Sequence, residues 1–114
     1  MPKLITFTLK IRTGEHGLDH SPQYAINGFG LGFDEVKGGT GVGEAAELTG
    51  NPESFPHSLL LVGPERGQWD IADIEVTYHC AGEPAYSVRL GKVTLDDHSD
   101  LNIWYARPER VIDV

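Results

Sequence analysis

Cysteine, basic residues and long apolar runs are all scarce in this sequence, and each shortage excludes a class of protein. Cys80 is the only cysteine among 114 residues, so no internal disulfide can form. A small secreted domain stapled by disulfides is therefore not expected, and a reducing compartment is favoured. No apolar run approaches the roughly 20 residues that a membrane-spanning helix needs. The first residues alternate between polar and apolar types, unlike a signal peptide, so we expect a cytoplasmic protein without a membrane span.

Basic residues are about half as frequent as acidic ones. The chain has 9 Lys and Arg against 17 Asp and Glu, which gives a formal net charge of −8. A surface of this sign repels phosphate backbones and anionic lipid, so no nucleic acid is expected among its partners. A protein, or a neutral small molecule such as a carbohydrate, is compatible with that charge.

Helical periodicity is also missing, and a period of two takes its place. Polar and apolar residues alternate over residues 5–12, 74–80, 86–90 and 101–105. Turn signals recur roughly every 8 to 12 residues, which predicts seven to nine short strands. We expect one all-β domain over residues 1–114, built as an antiparallel two-sheet sandwich of the jelly-roll or C2/PLAT-like kind. A closed β-barrel is the alternative, and no motif of the C2-like, PLAT-like or lectin-like families is matched residue by residue.

Two predictions concern strands whose side chains are unusual. Residues 23–33 are predicted as one strand region in which glycine takes every second position from Gly28 onward. One face of that ribbon is therefore bare, and we expect another element or a ligand to pack close to it. Trp69, two residues before Ile71, is predicted to lie at a sheet edge.

The stretch with the fewest large apolar residues is 34–56. It is predicted as a long loop with a short edge strand near residues 44–49. Its glycines have the spacing of a phosphate-binding loop, but Glu44 and Ala45 stand where that motif needs a lysine and a hydroxyl residue. Nucleotide binding is therefore not expected, and a loop over a site is the remaining interpretation.

One polar turn has the composition of a calcium site. Asp96, Asp97 and Asp100 lie close together in sequence, with Ser99 and Asn102 nearby. Calcium takes six to eight oxygen ligands, and carboxylates in loops are common donors. The alternative is a solvated turn whose carboxylates bind its own backbone. Calcium is the possible cofactor, and a zinc site formed by His16 and His20 with His57 or His98 is a weaker candidate, for which surface histidines are the alternative.

An aromatic residue near the end of the chain is the candidate ligand-binding group. If Ile103 and Tyr105 face the core of a strand, Trp104 faces solvent. An exposed tryptophan beside Asn102 and Arg107 can stack on a sugar ring or anchor a protein partner. The alternative is that Trp104 closes the sandwich or a dimer contact.

These features leave three kinds of function open. The first, and our expectation, is a non-enzymatic module that binds a ligand or a partner, with or without calcium. The second is a small enzyme with a site under the glycine-rich loop, using His16, His20 or His57. The third is a structural subunit of a homo-oligomeric assembly, which predicts a long exposed apolar edge or sheet face.

Overall fold

The structure is a computed structural model, and it describes residues 3–18 and 20–105. Over these residues the chain forms ten strands. No helix in this part of the chain is long and apolar enough to cross a membrane. The strands are β1 Leu4–Thr13, β2 Gln23–Ile26, β3 Phe29–Gly32, β4 Glu35–Gly38, β5 Ala45–Gly50, β6 Leu59–Leu61, β7 Gln68–Cys80, β8 Tyr86–Arg89, β9 Val93–Asp96 and β10 Leu101–Asn102.

The strands form two antiparallel sheets that are not closed into a barrel, so the predicted sandwich is confirmed. The large sheet has six strands in the order β4-β5-β1-β7-β8, and β9 also pairs with β7. The strands β8 and β9 share one side of β7 because β7 is 13 residues long. The small sheet has four strands in the order β10-β6-β2-β3.

Alternation along the two long strands supplies most of the core. In β1, Phe7, Leu9 and Ile11 are buried between half-buried or exposed polar neighbours, as a period of two requires. Ile5 is only half-buried, because β1 changes register between Leu4 and Thr6 and brings Leu4 into the core instead.

Trp69 lies in this core and not at a sheet edge as predicted. Its side chain is fully buried, and its indole N–H donates a hydrogen bond of 3.1 Å to Oγ1 of Thr13. Burial of an indole N–H costs free energy unless the group finds an acceptor, and the buried Thr13 supplies one.

The predicted long loop over residues 34–56 contains two strands. β4 and β5 pair as neighbours, and β5 lies inside the large sheet between β4 and β1. The inward positions of β5 are occupied by Ala46, Leu48 and Gly50, which are all buried. A side chain at Gly50 would come within 2.7 to 2.9 Å of the rings of Phe7 and Tyr24. Gly50 therefore has no room for a side chain, because the rings of Phe7 and Tyr24 fill that space.

The predicted strand over residues 23–33 is two strands joined by a tight turn. Asn27 and Gly28 both have positive φ, 50° and 88°, which is the conformation of a two-residue type I′ hairpin turn. The Asn27 amide also fixes the turn, since its Oδ1 accepts hydrogen bonds from the N–H groups of His57 and Ser58. The chain then passes through Phe33 and Asp34 from the small sheet to the large one.

Candidate functional site

The aspartates of the predicted calcium site each have a separate structural partner. Asp96 accepts hydrogen bonds from the His98 N–H at 2.8 Å and the Ser99 hydroxyl at 3.0 Å. These bonds hold the pKa of Asp96 below its usual range. Asp100 accepts a hydrogen bond of 2.8 Å from the N–H of Gly63, on a different loop.

Asp97, the third predicted ligand, lies 3.6 Å from the imidazole of His98. Over residues 3–18 and 20–105, no group of three or more His, Cys, Asp or Glu side chains is placed to hold a metal ion. Calcium binding at Asp96, Asp97 and Asp100 stays a prediction without a converging ligand set.

Trp104 is half-buried, and the strand predicted to carry it ends two residues earlier. β10 stops at Asn102, whose Oδ1 accepts the N–H of Trp104 at 3.1 Å. The alternation that would expose Trp104 therefore does not extend to it. Its ring packs edge-on against Tyr78, with 5.3 Å between centroids. Arg107, the remaining residue of this predicted ligand site, lies outside the described residues.

The three histidines of the enzyme hypothesis have different surroundings. His16 Nδ1 lies 2.5 Å from Oδ2 of Asp70, and this hydrogen bond, with the charge of the carboxylate, raises the pKa of His16. His20 lines a hollow of about 400 Å³ together with Thr40 of the glycine-rich loop. His57 lies at the β2–β3 turn, where its backbone N–H binds Asn27. Only the second of these positions matches the predicted site under the loop.

The outer face of the large sheet carries charges that alternate across the strands. The register places one row of side chains side by side, in the order Lys37, Glu47, Lys10, Glu75 and Arg89. Opposite charges on directly paired strands stabilise their register. This row is the solvated side of the sandwich.

One hollow on that face gathers basic side chains. Its volume is about 450 Å³, and Lys10, Arg12 and Lys37 line it beside Glu47 and Asp73. Asp73 is held by Arg89 at 3.0 and 3.1 Å, while Lys10 and Arg12 form no ion pair with any residue in the described ranges. We call this hollow the basic groove.

The strand β3, at the edge of the small sheet, is exposed along its whole length. All four of its residues are exposed. Phe29 is 72% and Leu31 44% exposed, although both pair with buried core residues of β2. On its other face, a Cβ built at Gly28, Gly30 or Gly32 would meet no atom within 4 Å. The element or ligand expected against this glycine face is therefore not supplied by the described part of the chain.

The free backbone groups of β3 belong to its glycines. Ile26 and Phe29 flank a two-residue turn, so they form a hydrogen-bonded pair, and so does the Tyr24–Leu31 pair two residues further on. The N–H and C=O groups of Gly30 and Gly32 consequently point away from β2. We call these groups, with the side chains of Phe29 and Leu31, the β3 edge.

The other outer strands are protected by charge or by shortness. β4 carries Glu35 and Lys37, whose charged groups are 3.3 Å apart, and β8 carries Arg89. β10 has only two residues. Natural sheets protect their edges with such devices, and the sequence of β3, Phe-Gly-Leu-Gly, contains neither a charge nor a proline.

Sequence reasoning identified the bare glycine face but neither the β3 edge nor the basic groove. The period of two indicates which residues share a face, whereas the order of the strands decides which strand lies outermost. No protein family matches the chain. Searches of curated proteins and of solved structures returned no significant match.

Proposed function

We propose that this chain is a non-enzymatic binding module that recognises a protein partner by adding a strand to the β3 edge. The observation that carries the proposal is the exposure of β3 on both faces and along its outer edge. An open edge offers a row of unpaired N–H and C=O groups that an extended segment can complete.

The composition of the β3 edge supports recognition through backbone and apolar contact. Gly30 and Gly32 put no side chain beside their outward N–H and C=O groups, so a second backbone can approach to the usual 4.7–4.9 Å strand spacing. Phe29 and Leu31 stand on the other face. Full burial of an exposed side chain of this size contributes roughly 1.5–3 kcal/mol, and covering Leu31, which is 44% exposed, contributes about half of that. A partner that is itself extended and apolar fits both features.

A peptide probe tests this function. The peptide copies residues 27–34, and the readout is the two-dimensional amide NMR spectrum of the full chain. We expect the peptide to shift Phe29 and Leu31 and to slow hydrogen exchange at the Gly30 and Gly32 amides, because those amides gain acceptors. A control peptide with lysine at the position of Leu31 should not bind. Shifts confined to β4, or none at all, would remove the β3 edge as a binding surface.

The basic groove supports a second candidate, the binding of an anionic small molecule. Three of the nine Lys and Arg residues of an acidic chain line it, and its volume of about 450 Å³ is within the range of ligand sites. Citrate serves as the probe, since its carboxylates match the charge of Lys10 and Arg12. Arg12→Gln should weaken citrate binding, and Arg66→Gln, at an exposed position outside the groove lining, serves as the control. Equal weakening by both variants would point to general charge attraction.

A further inference from the structure

We infer that the partner added at the β3 edge is a second copy of this chain, paired antiparallel about a two-fold axis through Leu31. This inference rests on the proposed function of the β3 edge. It names the occupant of that surface, which the exposure of the strand alone does not.

The residues around Leu31 form a palindrome. From Phe29 to Phe33 the order is Phe-Gly-Leu-Gly-Phe, which is the same in both directions. An antiparallel copy therefore presents the same residue types at every paired position. An unrelated partner strand would not require this symmetry, whereas a two-fold interface is by definition self-complementary.

The backbone geometry of β3 matches that axis. With Leu31 opposite itself, Gly30 of one copy lies opposite Gly32 of the other. These are the residues whose N–H and C=O groups point away from β2, so the two strands exchange about four hydrogen bonds. Leu31 takes the non-hydrogen-bonded position on the axis, where opposing side chains are closest. If the register between the two strands shifted by one residue, the outward N–H and C=O groups of each glycine would face residues whose own groups point toward β2, and these hydrogen bonds would be lost.

The pairing also extends an aromatic cluster that is already present. Phe33 packs against Phe7 and Tyr24, with ring centroids 5.9 and 5.0 Å apart. In the proposed register, Phe29 of the second copy lies directly opposite Phe33. The ring that is 72% exposed in one chain therefore meets the end of the partner's core cluster, and aromatic pairs favour such contacts.

Charge does not oppose the contact at the strand itself. Each chain has a net charge of −8, so two copies repel at long range. The acidic residue nearest to the palindrome is Asp34, which would lie opposite Gly28 of the second copy. No two charged side chains are directly opposite one another in this register.

The first test is the mass of the full chain in solution. Sedimentation velocity across concentration should show a species of twice 12.5 kDa, the mass of one chain. Leu31→Lys places two like charges face to face at the axis, and we expect it to weaken association at least about tenfold. Val36→Lys is the matched control, because Val36 is 49% exposed on the edge strand of the other sheet. It should leave the mass unchanged.

A second variant separates the interface from the fold. Gly30→Pro removes an N–H that points away from β2, so the hairpin keeps its own hydrogen bonds while the interface loses a donor. We expect a folded chain with weakened association, measured by circular dichroism and sedimentation. Leu31→Cys should form a disulfide with its own copy under mild oxidation, because the residue on the axis faces itself, and Val36→Cys should not.

The outcomes distinguish the inference from the function it rests on. A monomer at every concentration, combined with binding of the 27–34 peptide, would overturn the second copy as partner and leave the β3 edge as a binding surface. A dimer that survives both Leu31→Lys and Gly30→Pro would overturn the inference, since another face would hold it. A chain that is monomeric and does not bind the 27–34 peptide would overturn both the second copy as partner and the β3 edge as a binding surface.

Discussion

Gly63, in the loop after β6, and Gly30, on the edge strand β3, have opposite surroundings, and the effect of a substitution at each can be measured. At Gly63, a Cβ would overlap the carbonyl oxygen of Ser99 and approach that of Asp96 to 2.7 Å. At Gly30, a Cβ would meet nothing within 4 Å. The turn after β9 therefore packs on the backbone of Gly63, and this close approach brings the N–H of Gly63 to Asp100.

We expect Gly63→Ala to lower the free energy of unfolding by about 1–3 kcal/mol, because backbone atoms must move to admit the methyl group. Denaturant unfolding measures the change. Gly30→Ala is the control and, at protein concentrations where the chain is monomeric, should alter stability by less than about 1 kcal/mol. Equal losses at the two positions would show that the turn does not depend on contact with Gly63.

The His16–Asp70 pair predicts a pH window. The hydrogen bond between His16 and Asp70 is the largest cause of both pKa shifts. It lowers the pKa of Asp70 below 3.8 and raises the pKa of His16 above 6.5. The raised pKa contributes stability that is complete below pH 6.5 and is lost as the pH rises through the folded value. The lowered pKa contributes stability that is complete above pH 3.8 and is lost as the pH falls through the folded value. The pair is therefore most stabilising between these limits.

The variant His16→Gln should lose this dependence. The difference in unfolding free energy between the parent chain and the variant should be largest from about pH 4 to pH 6.5 and decline on both sides. NMR titration gives an independent readout, since the midpoint of His16 should lie above 6.5 and return toward it in Asp70→Asn. A His16 midpoint that is the same in the parent chain and in Asp70→Asn would contradict the pairing of His16 with Asp70.

At the scale of elements, a buried hydroxyl is one of the groups that hold the segment after β10. Tyr78, on β7, donates a hydrogen bond to the carbonyl of Ile103 and accepts one of 3.3 Å from the N–H of Tyr105. Its burial raises the pKa of its phenol. This hydroxyl attaches residues 103–105 to the large sheet, although β10 belongs to the small one.

Removal of that hydroxyl should loosen the segment. Tyr78→Phe leaves the Ile103 carbonyl and the Tyr105 N–H without this partner, which costs about 1–3 kcal/mol. Trp104 packs on the same ring, so its fluorescence should shift to longer wavelength as water reaches it. Subtracting the spectrum of Trp104→Phe isolates this signal from Trp69. An unchanged emission would indicate that the other contacts, among them the hydrogen bond from the Tyr86 hydroxyl to the Tyr105 carbonyl, are enough to hold the segment.

Some strands can be predicted from the sequence and others cannot, and the reason is physical. The strands β1 and β7 were predictable because one face is buried and the other solvated, so alternation records the fold. The sequence predicts β5 at an edge because Gly50 reveals no burial unless the rings of Phe7 and Tyr24 are already in place. When the side chains of neighbouring strands fill the core beside a strand, that strand shows only a weak alternation of polar and apolar residues.

The candidate surfaces were harder to predict than the fold. The sequence predicts an exposed Trp104 on the assumption that β10 continues, whereas the strand ends at Asn102, whose Oδ1 accepts the Trp104 N–H. The β3 edge depends on strand order, which alternation does not contain. The basic groove depends on register across β4, β5 and β1. Both surfaces are products of long-range pairing and not of local sequence.

At the scale of the whole molecule, net charge and the β3 edge act in opposite directions. Two chains of charge −8 repel each other, and this repulsion is long-range and screened by salt. The contact proposed at Leu31 is apolar and hydrogen-bonded, so salt has little to screen there. Association through the β3 edge should consequently strengthen as salt is added.

We therefore expect the dimer dissociation constant to fall several-fold between about 20 mM and about 500 mM NaCl, as measured by sedimentation. Association through the basic groove would behave in the opposite way. Lys10, Arg12 and Lys37 would attract acidic residues of a second copy, and salt would weaken that attraction. A dissociation constant that rises with salt would thus indicate that the interface lies on the large sheet and not on the small one. Arg12→Gln should then weaken association where Leu31→Lys does not.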